Sequence, residues 1–379
     1  MRVLFSGHGA RGHVLPLLGV ARALIADGHD VLFATAPDLC RVVGSEGIET
    51  VAAGIADDAM VADARRRWPE TKSLAPSSWA VRMFCEIAAP AMAAALEPII
   101  LRWRADVVVR EEGEYGSPVA AAAAGLPWIT HGWGSPLPGP EALADLSRLV
   151  APVWERAGVR PPSGPELYGA AVLDPCPPSL YATEPGLPHR RVLRPWLPDS
   201  GHEHRPSGRR LAYVGFGTVP LFRDPPALLL TVVAALLDLK FDVAVTTGSA
   251  AIADDLRALS PERVHVSRWV ELGPLLRRCD LVVCHGGAGT VLAALAAGVP
   301  LLLLPQGAPS QARMSAACEA RGVGRALAVS GGTVAGRLGD ALVEVASSDR
   351  IRAAAAVVAA EIAAMPDPSA AIPILAGVT

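Results

Sequence analysis

The segment best equipped for chemistry is Cys284-His285-Gly286-Gly287-Ala288-Gly289-Thr290. It follows an apolar run and leads into a helical one. Glycines let a backbone approach a ligand closely, and a helix N-terminus offers free N–H groups at the positive end of its dipole. That combination suits a phosphate, with Thr290 adding a hydroxyl and His285 an imidazole. A tight strand-to-helix turn without a ligand would use the same glycines. A second loop, Ser6-Gly7-His8-Gly9-Ala10-Arg11-Gly12-His13, spaces Gly7, Gly9 and Gly12 as G-x-G-x-x-G. A dinucleotide site also wants an acidic residue at the end of the next strand. Here Asp30 precedes the run 31–35 and Asp38 falls beyond Pro37, so the fingerprint is incomplete. His8 and His13 share this loop, and an imidazole is suited to taking a hydroxyl proton near neutral pH. Arg110-Glu111-Glu112-Gly113-Glu114 puts three carboxylates after another apolar run, where they could orient such a base or be solvated loop charge.

These segments need scaffolding, and the rest of the chain alternates short β-branched runs with helical stretches, which predicts parallel sheets built from βαβ units. Strands are expected at 2–6, 30–35, 47–52, 106–109 and 127–130, with helices at 15–27, 39–46, 80–103 and 117–124. Residues 131–210 are rich in proline and loosely patterned, which places a domain boundary late in that stretch. The alternation restarts with strands at 210–216, 242–246, 264–267, 281–284 and 301–304, and helices at 227–239, 272–277, 289–297 and 310–321. Two successive halves of one kind predict two doubly wound α/β domains, with ligands off the carboxyl ends of the strands. The expected division is a first domain over 1–198, a linker over 199–209, a second domain over 210–360, and a C-terminal helix, 361–379, packing back on the first.

The run Arg268-Trp269-Val270-Glu271-Leu272-Gly273-Pro274, then Asp280, His285-Gly286-Gly287-Ala288-Gly289-Thr290, Ala297-Gly298-Val299-Pro300 and Leu304-Pro305-Gln306 strongly resembles the donor signature of family 1 nucleotide-sugar glycosyltransferases. The nearest likeness is to the bacterial members that act on antibiotics and other natural products. The resemblance implies the GT-B fold, two Rossmann-like domains facing across a cleft, the first binding acceptor and the second the nucleotide-sugar donor. It implies that Trp269 and Val270 border the nucleobase, and that His285, Gly287, Ala288, Gly289, Thr290 and Thr218 hold the diphosphate. Where members often carry Asp-Gln against the sugar hydroxyls, this chain has Ser310-Gln311. A hydroxyl in place of a carboxylate suits a donor poorer in hydroxyls, such as a deoxysugar on dTDP. Gly12-His13 with Pro16 looks like the family's Gly-His-x-x-Pro, which makes His13 the catalytic base. Glu111 is the match to the orienting carboxylate, usually Asp, with Glu112 and Glu114 as alternatives. Trp79, Phe84 and Trp133 are candidate walls of an acceptor pocket.

The implied activity is an inverting, metal-independent hexosyl transfer from a dTDP- or UDP-sugar to a hydroxyl of a small hydrophobic aglycone, with no cofactor beyond the co-substrate. The alternatives are a GT-B nucleotide-sugar epimerase, an NAD(P)-dependent oxidoreductase, and a glycosyltransferase-like partner without activity. Bulk properties set outer limits. With 379 residues, 51% hydrophobic and a net charge of −3, the chain is globular and carries no basic concentration fit for nucleic acid. Six dispersed cysteines read as reduced thiols of a cytoplasmic protein. No membrane span is expected, and a homodimer is left open.

Overall fold

The computed structural model describes residues 1–72, 79–183, 185–187, 189–197, 208–217, 226–328 and 334–379. Thr218 and the expected linker positions 199–207 therefore lie outside the described residues. The chain divides into two compact units. The first comprises Met1–Cys176, Thr183–Trp196 and Met365–Thr379; the second comprises Pro177–Ala182 and Leu197–Ala364.

The first unit holds β1 (Arg2–Ser6), β2 (Asp30–Thr35), β3 (Glu49–Ala52), β4 (Val107–Glu111), β5 (Trp128–His131), β6 (Val172–Asp174) and β7 (Arg190–Val192). They form one parallel seven-stranded sheet in the order β3-β2-β1-β4-β5-β6-β7. Successive strand side chains face opposite ways, so a sheet covered on two faces needs apolar residues at every position. Val3, Phe5, Val31, Phe33, Val107 and Val109 pack on one face against Leu18 and Leu24. Leu4, Leu32 and Val108 pack on the other against Met92, Leu96 and Ile100. The helical stretch Ala80–Trp103 that supplies these last residues is long and apolar enough to cross a membrane by length and composition. Its apolar face is instead part of this domain's core. It is interrupted by a π-helical turn, Phe84–Ala88.

Within the proline-rich stretch after β5, the described residues form the helix Pro140–Arg156 and strands β6 and β7. Proline at the first helical position is compatible with the fold of a helix, because its missing N–H would have no partner there. The strand expected at 106–109 continues to Glu111, so Arg110 and Glu111 are sheet residues paired with Thr130 and His131. Residues Ala371 and Leu375 from the chain's end join the core of this unit.

The second unit contains β8 (Leu211–Gly215), β9 (Asp242–Thr246), β10 (Val264–Ser267), β11 (Leu281–Cys284), β12 (Leu301–Leu303) and β13 (Gly324–Ala326). These make a parallel six-stranded sheet ordered β10-β9-β8-β11-β12-β13. In each sheet the first strand lies between its second and fourth, which is the strand order of a doubly wound fold and opens a crevice off the strand ends at the point of reversal.

Gly116 lies where the helix Ser117–Ala123 meets the helix Ala89–Trp103. A Cβ there would collide with the Ala89 carbonyl and stand 2.8 Å from Ala93 N. Gly116→Ala should therefore lower stability by about 1–3 kcal/mol through overpacking, read as a fall in thermal midpoint.

Candidate functional site

In the first unit the carboxyl ends of β1 and β4 bring the sequence-predicted groups together. The loop after β1 passes into a short helix, Arg11–Val14, that carries His13. His13 Nδ1 is 2.9 Å from Glu111 Oε1. A carboxylate can only accept, so Nδ1–H donates and the lone pair of the neutral ring lies on Nε2. Glu111, the last residue of β4, has no exposed surface. Its second oxygen, Oε2, accepts from Gly113 N at 2.5 Å and from Trp133 Nε1 at 2.5 Å. Of the three glutamates, Glu111 carries the hydrogen bond to the His13 ring. Glu114 is also buried, but it accepts from Ser6 Oγ and from the backbone N–H groups of Gly116 and Ser117 at the start of a helix. Glu112 Oε2 lies 3.4 Å from Trp133 N.

Phe84 and Trp133 stand against the imidazole, with ring centres 5.8 and 4.6 Å from that of His13. Trp79 is buried at the start of the helical stretch, with its indole N–H unpartnered. His8 donates Nε2–H to the Gly113 carbonyl at 2.8 Å and stacks on Phe84. Gly7 and Gly9 of the first loop serve close approach by protein. A Cβ at Gly7 would lie 3.2 Å from Val14 and 3.5 Å from Glu111, and one at Gly9 would lie 3.1 Å from Asp57 Oδ1.

Two groups here were not legible as site residues. Asp57 is half-buried at the start of the helix Asp57–Arg67. Burial raises its carboxyl above the usual range, against the pull of His13 and His8. Arg110 is buried, and its Nη1 donates to the carbonyls of Glu111, Glu112 and Glu114 while Nη2 donates to that of Leu167. One guanidinium thereby gathers the whole strand-end turn. An arginine at the head of a glutamate run is the only sequence signal for it.

The second unit builds a different site. His285 follows β11, and its tip is flanked by Gly217 and Gly287. A Cβ at either would come within 2.8 and 2.5 Å of the imidazole Nε2. Gly286 has φ +84°, and a Cβ there would lie 2.7 Å from Ser315 Oγ. So Gly217 and Gly287 are required by the histidine they flank, and Gly286 by its conformation and by Ser315. Gly287 then leads into the helix Ala288–Ala296, whose first residues are Ala288, Gly289 and Thr290. Burial pushes the His285 imidazole down to about 4, against a backbone interaction with Gly215. It is neutral at pH 7, and its Nδ1 is buried without a partner. Trp269 is 47% exposed in the loop after β10, and Val270 follows it. Ser310 and Gln311 lie in the first turn of the helix Pro309–Arg321. Gln311 Oε1 accepts from Gln306 N at 2.8 Å, which leaves the amide NH₂ as its free end.

Known proteins resemble this chain over most of its length. Residues 230–378 match the family model described as erythromycin biosynthesis protein CIII-like, C-terminal domain. The elloramycin glycosyltransferase of Streptomyces olivaceus is 34% identical over 353 residues, covering 87% of this chain and 86% of its own. The chain belongs to the glycosyltransferases of antibiotic biosynthesis. The aclacinomycin-T 2-deoxy-L-fucose transferase of Streptomyces galilaeus is 26% identical, covering 80% of this chain and 79% of its own. Among solved structures, the spinosyn rhamnosyltransferase complexed with thymidine diphosphate is 26% identical with a TM-score of 0.77, covering 99% of this chain and 100% of that one. The fold is GT-B, built from two parallel-sheet α/β domains, and the chain is an enzyme of the glycosyltransferase class.

The ionisation of the His13–Glu111 pair follows from this geometry. Burial alone would lower the His13 value. The Glu111 charge and hydrogen bond, with Asp57 and Glu112, outweigh it and raise the value above 6.5. Glu111 is held down to about 2, because His13, His8 and the Gly113 amide outweigh its own burial. The raised imidazole stabilises the fold below 6.5, and that contribution is lost as pH rises through the folded value. The lowered carboxyl contributes above its unfolded value of 4.5 and loses its contribution as pH falls through about 2. Glu111→Gln removes the charge and leaves burial dominant, so the His13 midpoint should fall from above 6.5 to below it, as read by NMR titration of the ring.

Proposed function

We propose that this chain is an inverting glycosyltransferase that needs no metal and moves a sugar from a dTDP- or UDP-sugar to a hydroxyl of a small natural-product aglycone. The observation that carries the reading is the contact of His13 Nδ1 with a fully buried Glu111. A free Nε2 lone pair on an imidazole backed by a carboxylate is a general base aimed at whatever occupies the loop. His13 Nε2 takes the acceptor hydroxyl proton as that oxygen attacks C1 of the donor sugar. The bond from C1 to the diphosphate oxygen breaks, and the nucleoside diphosphate leaves with the electron pair. One displacement inverts the anomeric centre.

The leaving charge falls to the second unit. Neutral His285 supplies a hydrogen bond and no charge, so compensation rests on the N–H groups and dipole at Gly287, Ala288, Gly289 and Thr290. Trp269 offers an exposed aromatic face for a base, beside Val270. Thymidine diphosphate in the spinosyn enzyme supports dTDP as the carrier here. Ser310 and the Gln311 amide offer the sugar few groups, which fits a deoxysugar, as does the 2-deoxy-L-fucose in a relative's name. Phe84 and Trp133, beside His13, suit a flat hydrophobic acceptor, with Trp79 as a further wall.

A panel of dTDP- and UDP-sugars offered with one phenolic acceptor, read by mass and by the anomeric configuration of the product, should give an inverted glycoside. Retained configuration would end the single-displacement reading. His13→Ala should cut kcat by about 10²–10⁴-fold while nucleotide affinity stays within about twofold. His285→Ala should instead weaken nucleoside diphosphate binding about 10- to 100-fold by calorimetry.

A further inference from the structure

Trp133 is a candidate wall for the acceptor, and its polar atom is engaged by protein. Its indole Nε1–H donates to Glu111 Oε2 at 2.5 Å, the same oxygen that accepts from Gly113 N. Glu111 Oε1 is thereby left to His13 Nδ1. We propose that Trp133 is the positioning residue of the pair: with the Gly113 amide it locks one oxygen of the Glu111 carboxylate, so that the other is presented to His13 in a fixed orientation.

The elements around it are arranged for this contact. Glu111 and His131 are register partners on adjacent parallel strands, and Trp133 follows two residues beyond His131. Burial holds His131 at about 4, so it is neutral and does not compete as a cation for the carboxylate. Glycine at 113 is required by the indole. A Cβ there would stand 2.5 Å from Trp133 Cζ2 and 2.9 Å from Cη2. The indole ring centre also lies 4.6 Å from that of His13, so one side chain touches base and carboxylate alike. A glutamate has one more rotatable bond than an aspartate, and its terminal torsion is broad. Two N–H donors on one oxygen remove that freedom.

The inference rests on His13 acting as the base, and the test separates the two claims. Trp133→Phe keeps an aromatic ring and removes the N–H. Its kcat should fall about tenfold, with KM for both substrates within about twofold. In a Glu111→Ala background the same change should cost less than about twofold, because residues that act through one another are not additive. Gly113→Ala should reproduce the kcat loss by displacing the indole. Replacement of Trp133 by the isosteric 3-benzothienylalanine, which lacks only the N–H, should match Trp133→Phe and covers the case in which the phenylalanine variant folds poorly. An unchanged kcat with a raised acceptor KM would make Trp133 a wall alone and overturn the inference. Equal losses with and without Glu111 would overturn it too. If His13→Ala keeps its turnover, the reading of the base fails and takes this inference with it. If that variant is inactive while the Trp133 and Glu111 effects simply add, the inference alone fails.

Discussion

An ionised carboxylate with no solvent exposure is tolerated only when its oxygens are paired, because the desolvation of a lone buried charge costs several kcal/mol. Glu111 is such a group, and the first unit is organised around pairing it. One oxygen faces an imidazole from the loop after β1, and the other faces two N–H groups from the turns after β4 and β5. Three strand ends must be held in register for those contacts to coexist, which the apolar layers on either face of the sheet accomplish. Arg110 adds a second constraint from within the same strand, since it ties three carbonyls of the glutamate turn to one guanidinium.

The second unit solves the opposite problem. The diphosphate proposed for it brings its own charge, so such a site needs donors and close approach and has no need of a buried ion. Its histidine is neutral at pH 7, its glycines enclose that histidine, and its helix begins at the loop. His13 and His285 thus differ in ionisation for reasons fixed by their neighbours. His13 is raised by a carboxylate, and His285 is lowered by burial with no carboxylate beside it.

Much of this was legible in the chain. Strands at 2–6, 30–35, 242–246, 264–267 and 281–284 read directly because buried parallel strands are continuous apolar runs bounded by turn residues. The His13–Glu111 contact was reached by matching motifs, and the coordinates supply its distance. What was not legible depends on contacts across strands. β6 and β7 are three residues each, too short to show a period, and the prolines at 140 and 152 disguise a 17-residue helix. Asp57 looks like any charge at a helix start until the loop at Gly9 is folded against it. Trp133 is an aromatic after a strand, and nothing in its local sequence says that its N–H faces a carboxylate.

Several features that break local rules lie at the two candidate sites. A π-helical turn costs backbone hydrogen bonding, and the one at Phe84–Ala88 carries the phenyl ring that flanks His8 and His13. Buried Glu111, Glu112, Glu114 and Arg110 all lie within one strand-end turn. Positive φ at Gly286 and an unpartnered Nδ1 on His285 mark the other loop. Each of these lowers stability relative to a simple apolar turn, and none is needed to close a doubly wound sheet. Sequences that specify a fold are locally consistent except where function requires otherwise. The buried charges beyond β4 and the glycine loop beyond β11 are such exceptions, and both stand at carboxyl ends of parallel strands, where a doubly wound sheet leaves its crevice.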